Sequence, residues 1–325
     1  MREPSFWWRE AGLFSGLLAP VAAGYGAIAA QRMARQGARA SVPVLCVGNF
    51  TLGGAGKTPT ALWLTKMLIE AGERPFFLSR GYGGTLAGPK RVDAQNDSAA
   101  HVGDEALLLA RVAPAFVARN RVAGASAAHA EGAGVIVMDD GLQNASLAKD
   151  FTLAVIDGRR GLGNGRVFPA GPLRAPLATQ LARCDALLVV GDGDGGVKTE
   201  LPVFHGRLVP DAASITALKG RQVLAFAGIG DPDKFFATVT EAGLAIATHK
   251  AFPDHHRFSA EEAAGLIMQA EHGGFSLLTT EKDRARMTGE PILAALAAKT
   301  HVLPVSLDVQ EADALRKLVL GKMRR

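Results

Sequence analysis

The sequence contains few cysteines and few aromatic residues, and each shortage excludes a class of protein. Two cysteines in 325 residues, Cys46 and Cys184, exclude a disulfide framework and suit a reducing compartment, where both would be buried apolar residues. No CxxC pair or Cys/His cluster indicates a structural zinc site. Aromatic residues make up only 6% of the chain, and no basic run is interleaved with them, which argues against a nucleic-acid partner.

The rest of the composition bounds the size and the partners of the chain. With 48% hydrophobic residues the chain can bury real cores, which excludes intrinsic disorder. Its 325 residues predict about two domains. The count of 36 Lys and Arg against 31 Asp and Glu gives a formal net charge of +5. This mild excess suits a partner that carries phosphate, or an anionic membrane.

An uncharged stretch covers residues 11–30 near the N-terminus. Its length could just span a bilayer, but it consists mostly of Ala and Gly and has Pro20 in the middle. We therefore expect a helix, or a broken helix, that lies on the membrane surface, with Trp7, Trp8 and Phe14 as interfacial anchors and the following arginines facing lipid phosphates. The alternative is an ordinary N-terminal helix packed on the domain.

Strands and helices alternate through the rest of the chain, which predicts a mostly parallel sheet with helices on both faces. The predicted strands of the first series are 42–47, 75–79, 115–118, 135–139, 152–157 and 186–190, and its helices include 58–71, 105–113 and 122–131. A second series follows a Gly/Asp-rich stretch and has strands 223–227, 244–251 and 276–279, helices 231–242 and 259–272, and a last strand and helix from residue 301.

The strongest chemical signal is Gly53-Gly54-Ala55-Gly56-Lys57-Thr58, which follows a predicted strand and opens a predicted helix. In such a loop, backbone N–H groups and the helix N-terminus surround phosphate oxygens. Lys57 would reach the β- and γ-phosphates, and the Thr58 hydroxyl would ligate Mg²⁺. Thr51 stands where the common pattern has glycine, and Leu52 stands where partitioning ATPases with a similar loop have a signature lysine. The expected nucleotide-binding residues are Thr51, Leu52, Gly53, Gly54, Ala55, Gly56, Lys57 and Thr58.

The predicted fold class is therefore α/β. It combines a P-loop NTPase-like, mostly parallel sheet domain with a smaller α/β domain and an N-terminal amphipathic helical segment. The predicted boundaries are residues 1–40 for the membrane-surface segment, 41–197 for the P-loop domain, 198–218 for a linker and 219–325 for the smaller domain.

Two carboxylate pairs and one histidine pair are candidates for the chemistry. Asp139 and Asp140 end an apolar strand, where a P-loop protein places the carboxylate of its Mg²⁺ shell. Asp104 and Glu105 precede an apolar helical run, so Asp104 is either a helix N-cap or a catalytic group. His255 and His256 lie in a polar loop, as exposed side chains or as proton-transfer groups.

Glycine-rich loops that contain arginine follow several strands. Arg80 lies in one of them and Arg174 lies in another. Loops at strand carboxyl ends are where α/β proteins bind ligands, so these arginines would contact phosphate or remain solvated.

The order and spacing of these motifs resemble one family, that of the tetraacyldisaccharide 4′-kinases, the lipid A 4′-kinases of Gram-negative bacteria. The resemblance implies ATP- and Mg²⁺-dependent phosphorylation of the 4′-hydroxyl of an acylated glucosamine disaccharide 1-phosphate. It also implies a peripheral or monotopic location at the cytoplasmic face of the inner membrane. The matching segments are 47–50, 53–58, 78–83, 102–105, 139–143, 157–158, 160–164, 169–174, 225–230, 252–256 and 279–283.

The same resemblance implies roles for single residues. The catalytic carboxylate falls on Asp104 and its histidine partner on His255, with His256 the less favoured choice, and the Mg²⁺-associated pair falls on Asp139 and Asp140. Lys57 joins the catalytic residues. The residues that would line the active site or bind substrate are Arg80, Glu105, Arg121, Gln143 and Arg174. Because Asp104 and His255 belong to different predicted domains, we expect the site to lie between the domains.

Two departures from the family pattern put secondary contacts in doubt. Ala175 stands where such sequences usually have glutamate, and Asn144 stands where they often have histidine. Two other functions also suit the sequence: a membrane-associated P-loop switch ATPase of the partitioning or targeting type, and a kinase for another sugar lipid. The switch ATPase gives no role to the Asp-His-His loop at residues 254–256.

Overall fold

The computed structural model describes residues 3–324, and its architecture is α/β as predicted. The strands are β1 (Val44–Asn49), β2 (Pro75–Ser79), β3 (Lys90–Arg91), β4 (Ala115–Val117), β5 (Val135–Asp139), β6 (Phe151–Asp157), β7 (Ala186–Val190), β8 (Val203–Pro210), β9 (Gln222–Ala227), β10 (Ala245–Ala251), β11 (Ser276–Thr279), β12 (Thr300–Val302) and β13 (Val305–Val309). The helices are α1 (Leu13–Leu17), α2 (Ala19–Met33), α3 (Lys57–Glu70), α4 (Ala99–Val102), α5 (Asp104–Ala110), α6 (Arg121–Ala130), α7 (Leu177–Leu181), α8 (Ala212–Leu218), α9 (Pro232–Glu241), α10 (Ala260–Gly273), α11 (Glu281–Ala285), α12 (Pro291–Lys299) and α13 (Ala312–Met323), and residues Ser5–Trp8 form a short 3₁₀ helix.

The large sheet has nine strands in the order β13-β8-β7-β6-β1-β5-β2-β4-β3. Its central strand β1 pairs in parallel with β5 on one side and β6 on the other. Every residue of β1, β5 and β6 is buried, which explains why these strands have continuous apolar sequences. The chain reverses its direction of winding beside β1, so the carboxyl ends of β1 and β5 border a crevice of the kind in which open α/β sheets bind ligands.

The small sheet has four parallel strands in the order β10-β9-β11-β12. Its two faces are covered by separate apolar clusters, one around Phe226 and Leu266 and the other around Val239 and Leu278. Helix α10 begins with a capping box, in which Ser259 and Glu262 satisfy each other's backbone N–H groups. The second half of the chain therefore has its own core.

The boundary between the two sheets differs from the predicted one. Residues 198–218, predicted as a linker, contain β8, which pairs in parallel with β7 in the large sheet. The last strand, β13, pairs antiparallel with β8, so the end of the chain also returns to the large sheet. Leu315 and Val319 of α13 are buried in the large-sheet core. The chain thus crosses between the two sheets twice.

The N-terminal segment is a broken helix, as the position of Pro20 predicts. Helix α1 ends at Leu17, and α2 begins at Ala19 with Pro20 in its first turn. Among residues 3–324, every helix is too short or too polar to cross a bilayer. The prediction that Trp7 is an exposed anchor is wrong: its side chain is 5% exposed, and Nε1 donates a hydrogen bond to the Pro169 carbonyl at 3.0 Å.

Candidate active site

The glycine-rich loop connects the end of β1 to the start of α3, as predicted. Gly56 is the residue before α3 and has a φ of 89°, a left-handed conformation that favours glycine. Gly53 has a φ of 99°. Thr58 is buried in the first turn of α3, while Gly54 is exposed at the mouth of the loop. The loop and the N-terminus of α3 therefore have the geometry that can hold an anion, and we call this turn, residues 53–58, the cradle.

Asn49, the last residue of β1, holds this loop in place. Its Nδ2 donates to the carbonyl of Thr51 at 2.8 Å and to that of Gly53 at 3.3 Å. Its Oδ1 accepts a hydrogen bond from Nζ of Lys57 at 3.2 Å. Burial lowers the pKa of Lys57, and the Asp140 carboxylate opposes that shift. Asn49 was not among the predicted site residues, although it lies in one of the matching segments.

The remaining loop residues attach the cradle to the rest of the large-sheet domain. Thr51 is buried, and the N–H of Leu52 donates to the Pro172 carbonyl at 2.8 Å. Ala55 is buried in the large-sheet core. All eight predicted nucleotide-binding residues thus lie in the turn between β1 and α3 or in the first turn of α3. Two of them, Thr51 and Leu52, pack against the segment that carries Arg174.

Two aspartates lie opposite the loop at the end of β5. Asp140 has a φ of 53°, and its carboxylate accepts from Nη1 of Arg174 at 2.9 and 3.0 Å and lies 3.8 Å from Nζ of Lys57. Burial raises the pKa of Asp140, but the charges of Lys57 and Arg174 outweigh it and hold that pKa low.

Asp139 has a different environment from Asp140. Both of its carboxylate oxygens are buried, and no atom of residues 3–324 forms a hydrogen bond with them. Burial, together with the negative charges of Glu105 and Asp140, raises the pKa of Asp139. An unpartnered carboxylate beside other carboxylates is unfavourable on its own, and a cation would relieve both the desolvation and the repulsion.

Asp104 and His255 come together from the two halves of the chain. Oδ2 of Asp104 lies 3.4 Å from Nδ1 of His255. Burial raises the pKa of Asp104, but the hydrogen bond from His255 and the positive charge of Arg286 outweigh it and hold that pKa well below its usual range. Burial lowers the pKa of His255, but its contact with Asp104 raises it. The dyad therefore lies between the two sheets, where the sequence led us to expect the site.

His255 adopts a backbone conformation that is uncommon for residues other than glycine. Of the residues that the structure describes, it and Asp140 are the only non-glycines with a positive φ, 54° for His255. Such backbone costs of order 1–3 kcal/mol and clusters at functional sites. The His255 ring also packs on Tyr82, with 4.8 Å between ring centroids.

His256, the less favoured choice for the dyad, has a structural partner instead. Its Nε2 lies 2.8 Å from the Glu262 carboxylate at the start of α10. Its ring stacks on Phe252 with 4.7 Å between centroids.

Sequence reasoning missed two basic residues, Arg286, which contacts the dyad, and Lys282, which pairs with the neighbouring Glu105. Nε and Nη2 of Arg286 both donate to Oδ2 of Asp104, and Nζ of Lys282 donates to Glu105 at 2.6 Å. Nη1 of Arg286 donates to the Gly228 carbonyl at 2.7 Å and to Asp283 at 3.0 Å. Lys282 and Asp283 lie in segment 279–283, one of the segments that resemble the family. The resemblance marked this segment but assigned no role to its residues.

The other predicted lining residues, Gln143, Arg121 and Arg80, differ in how deeply they are buried. Gln143 donates to the Asn49 carbonyl at 2.8 Å and accepts from Arg174 at 3.4 Å. Arg121 is buried at the start of α6, and its Nε has no partner among residues 3–324. Burial lowers the pKa of Arg121 to about 10, with the charge of Arg80 contributing. Arg80 itself is exposed.

Ion pairs that were not predicted join the two halves beside the site. Nζ of Lys234 lies 2.6 Å from the Asp157 carboxylate, and Nη2 of Arg160 lies 2.9 Å from that of Asp231. Arg160 also pairs with Glu3 at 3.1 Å. The segment 157–164 and the start of α9 thus meet through opposite charges.

Comparison with known proteins identifies relatives along the whole chain. The family model described as "Tetraacyldisaccharide-1-P 4'-kinase" matches residues 14–324. The chain is 54% identical to the tetraacyldisaccharide 4′-kinase of Rhodopseudomonas palustris (strain BisB5), over 100% of this chain and 98% of that one. It is 57% identical to the protein of the same name from Methylobacterium sp. (strain 4-46), over 97% of this chain and 95% of that one.

A solved structure has the same fold. The crystal structure of LpxK from Aquifex aeolicus in complex with ATP superposes with a TM-score of 0.74 at 26% sequence identity. The match covers 96% of this chain and 100% of that chain.

Proposed function

The chain belongs to the tetraacyldisaccharide-1-P 4′-kinase family, and from that membership we propose how its residues carry out the reaction. The protein is a phosphotransferase with an alcohol group as acceptor. It uses ATP to phosphorylate the 4′-hydroxyl of a tetraacylated glucosamine disaccharide 1-phosphate, a lipid A precursor. The family assignment favours this activity over the switch ATPase and over a kinase for another sugar lipid.

Lys57 and the loop N–H groups bind the β- and γ-phosphates of ATP. Asn49 accepts a hydrogen bond from Nζ of Lys57 and also holds the loop carbonyls, so that cation and cradle are oriented together. Phosphoryl transfer depends mainly on positioning and on neutralising phosphate charge. A cationic side chain already fixed before ATP binds loses little freedom in doing so.

Asp139 and Thr58 hold Mg²⁺, with Asp140 beside them. The support is the pair of buried, unpartnered oxygens on Asp139, since hard oxygen ligands are those that Mg²⁺ prefers. Asp140 is instead paired with Arg174, which favours Asp139 as the direct or water-mediated ligand. When bound, the ion would offset the negative charge that develops on the phosphates.

Asp104, oriented by His255, accepts the proton of the 4′-hydroxyl. Its Oδ1 accepts the N–H of Glu105 at 2.9 Å, while Oδ2 faces His255 and Arg286. The carboxylate is therefore held ionised and in one orientation. A positioned base contributes about 10²–10⁴-fold to such a reaction. The observation that carries this assignment is the 3.4 Å contact between Asp104 and His255 beside the phosphate loop.

Arginines at the mouth of the site bind phosphate groups of the two substrates. Arg174 is fixed by its contacts to Asp140 and to the Thr51 carbonyl, at 2.9 Å. Arg80 is exposed and free to meet an incoming lipid, and Arg121 lies beneath it as a buried positive charge. Gln143 orients Arg174 from behind.

The N-terminal helices bind the surface of the inner membrane. Their apolar stripe consists of Leu13, Phe14, Leu17, Val21, Tyr25 and Ile28, which are 85%, 70%, 75%, 61%, 43% and 53% exposed. The spacing of three and four residues places them along one side of α1 and α2. Exposed apolar patches of this kind mark lipid or protein contacts, and a lipid substrate calls for the former.

A vesicle-flotation experiment tests this membrane contact. Because Trp7 is buried, deletion of the segment would disturb the fold, so we prefer the triple substitution Leu13→Gln, Phe14→Gln and Leu17→Gln. Reduced flotation with phosphatidylcholine vesicles is expected. The control changes exposed apolar residues elsewhere, Ile69→Gln and Met268→Gln, and should float as wild type. Equal flotation of the two variants would contradict the assignment.

Transfer of label from γ-labelled ATP to the disaccharide 1-phosphate lipid tests the reaction. In single-turnover experiments with Mg²⁺, wild type should label the lipid, and Asp104→Asn and His255→Gln should do so far more slowly. Hydrolysis of ATP without lipid labelling would point to a switch ATPase. Wild-type rates in both variants would remove the dyad from the mechanism.

A further inference from the structure

A basic pocket lies beside the amino ends of strands β6 and β7 of the large sheet. It has a volume of about 370 Å³, and its charged lining residues are Arg35, Arg39, Lys149, Arg183 and Asp185. Asp185 directly precedes the first residue of β7, whereas the phosphate loop follows the last residue of β1. The charged residues therefore lie toward the amino ends of the parallel strands, whereas the phosphate loop lies at their carboxyl ends, and Leu142 lines the pocket from the segment that follows β5.

Within residues 3–324, most of the positive charges of the basic pocket have no acidic partner. Its acidic residue, Asp185, is paired with Lys322 at 2.6 Å. No residue that the structure describes forms an ion pair with Arg35, Arg39 or Arg183. Like charges at close range repel, so a concave cluster of them favours an anion, and guanidinium groups suit phosphate in particular.

Lys149 adds a fourth cation from the floor of the basic pocket. Its Nζ donates to the carbonyl of Asn144, a neutral acceptor that leaves the charge unpaired. Burial lowers the pKa of Lys149, and the positive charge of Arg183 lowers it further. An anion between Lys149 and Arg183 would offset both effects.

The backbone holds Arg35 and Arg39 against this floor. Between them, the N–H of Ala38 donates to Ser146 at 2.9 Å, and the carbonyl of Ala38 accepts from Ala148 at 2.8 Å. A Cβ atom on Gly37 would lie only 2.5 Å from the nitrogen of Ala148, so the two segments are in direct backbone contact. The backbone that carries both arginines is therefore held in place before a ligand binds, which leaves their side chains to be ordered on binding.

The position of the basic pocket beside the end of α2 indicates the kind of ligand that it binds. Helix α2 carries the exposed residues Val21, Tyr25 and Ile28 of the apolar stripe, and Arg32 follows Ile28 at the next turn of the same side. Arg35 is the next basic residue and lines the pocket. Interfacial helices often have an apolar side that is followed by arginines at one end. The apolar side contacts acyl chains, and the arginines contact headgroups.

We propose that the basic pocket binds the phosphate headgroup of an anionic phospholipid while the apolar stripe lies in the membrane surface. This inference rests on the proposed membrane contact of α1 and α2 and adds a headgroup site outside the catalytic centre. Headgroup binding at one end of α2 would fix the orientation of the bound protein on the membrane surface.

Flotation with two kinds of vesicle tests this proposal. One kind is pure phosphatidylcholine, and the other contains equal parts of phosphatidylcholine and phosphatidylglycerol. The pocket variant carries Arg35→Gln, Arg39→Gln and Arg183→Gln. The control removes the same charge at exposed residues elsewhere, through Lys219→Gln, Arg221→Gln and Lys317→Gln. Kinase activity in detergent micelles should be unchanged in both.

Wild type is expected to bind the mixed vesicles more tightly than pure phosphatidylcholine. Each Lys or Arg near an anionic surface contributes about fivefold (about 1 kcal/mol), so the pocket variant should lose about a hundredfold on mixed vesicles and nothing on phosphatidylcholine. The control should keep most of the preference. An equal loss in the control, or no loss in the pocket variant, would overturn the proposal.

Two further outcomes separate neighbouring explanations. Failure of wild type to bind either vesicle would contradict the membrane contact itself rather than the headgroup site. Inorganic phosphate serves as the soluble probe. If it raised the melting temperature of wild type but not of the pocket variant, while both bound mixed vesicles equally, the ligand would be free phosphate and the lipid assignment would be wrong.

Discussion

Arg286 donates two hydrogen bonds, from Nε and Nη2, to the same oxygen of Asp104 that faces Nδ1 of His255. Arg286 comes from the segment that follows α11, so the proposed base receives a cation from the opposite half of the chain. Its own position is secured by Asp283 and the Gly228 carbonyl. Asp104 therefore acquires its full environment only when the two halves meet.

Removing Arg286 should change the pH dependence of the kinase. As the proposed base, Asp104 must be ionised, so activity is expected above the pKa of that carboxyl and is lost below it. Arg286 holds this pKa low, so in Arg286→Met it rises and the acid limb of kcat/KM moves to higher pH. The other charged groups around Asp104 are His255, Lys282 and Asp283, which the substitution retains, along with its sequence neighbour Glu105. At neutral pH Asp104 stays ionised, and the loss of the two bonds that orient it should lower the rate by about ten- to a hundredfold.

Two further variants control for a merely structural effect of Arg286. Arg286→Lys keeps the charge and should return the acid limb toward wild type, although its single ammonium cannot reproduce the two bonds. Arg284→Gln lies on α11 itself and outside the site, and should leave the profile unchanged. If Arg286→Met lowered the rate by one factor at every pH, Arg286 would not act through Asp104.

His255 should report its partner in an NMR titration. Burial lowers the pKa of His255, and the hydrogen bond and charge of Asp104 raise it above the usual value. In Asp104→Asn the two contributions of Asp104 to the raised pKa disappear and only that of Asp254 remains, so the titration midpoint of the His255 ring should move to lower pH. Glu262→Gln alters the partner of the neighbouring His256 and serves as the control. A midpoint that moves in the control but not in Asp104→Asn would mean that His255 and Asp104 do not pair in solution.

The sequence predicts the strands that surround the site better than the edges of the large sheet. Strands β2, β5 and β7 match to the residue, because each is a buried apolar run ended by polar or glycine residues. Strand β8 alternates between exposed and buried positions and begins after a Gly/Asp-rich stretch, so it has no such run. Its pairing with β13 depends on two segments about a hundred residues apart, and neither segment alone indicates it.

The residues of the candidate site likewise fall into those that the sequence indicates and those that it does not. The phosphate loop, Asp139 and Asp140 are local motifs, and the family resemblance supplied Asp104 and His255. Arg286 is 182 residues from Asp104 in the chain, and no spacing rule relates them. Trp7 was misjudged for a related reason, since a tryptophan beside an apolar stretch fits a membrane anchor until its hydrogen-bond partner is known.

Asn49→Ala should weaken ATP binding with little effect on the proposed base. The substitution removes both loop hydrogen bonds and the acceptor for Lys57. A buried group left unpaired costs about 1–3 kcal/mol, which corresponds to a rise in the Kd for ATP of about ten- to a hundredfold. Isothermal titration calorimetry measures it. The control is Thr65→Val on α3, whose buried hydroxyl has no partner among residues 3–324 and whose loss should leave ATP affinity unchanged. An unaltered Kd in Asn49→Ala would show that the loop needs no support from β1.

Asp139→Asn should stabilise the protein without Mg²⁺ and disable it with Mg²⁺. Both Asp139 oxygens are buried and unpartnered within the described chain, so a neutral amide relieves about 1–3 kcal/mol of unfavourable burial. Thermal unfolding in EDTA should therefore shift upward, while the extra stabilisation by Mg²⁺ and ATP together should be lost. Asp140→Asn is the matched control: it breaks the pair with Arg174, and because asparagine tolerates a positive φ its backbone is retained, so it should destabilise under both conditions. If Asp139→Asn lowered the melting temperature in EDTA as Asp140→Asn does, Asp139 would have a partner in solution and would not be held in readiness for a cation.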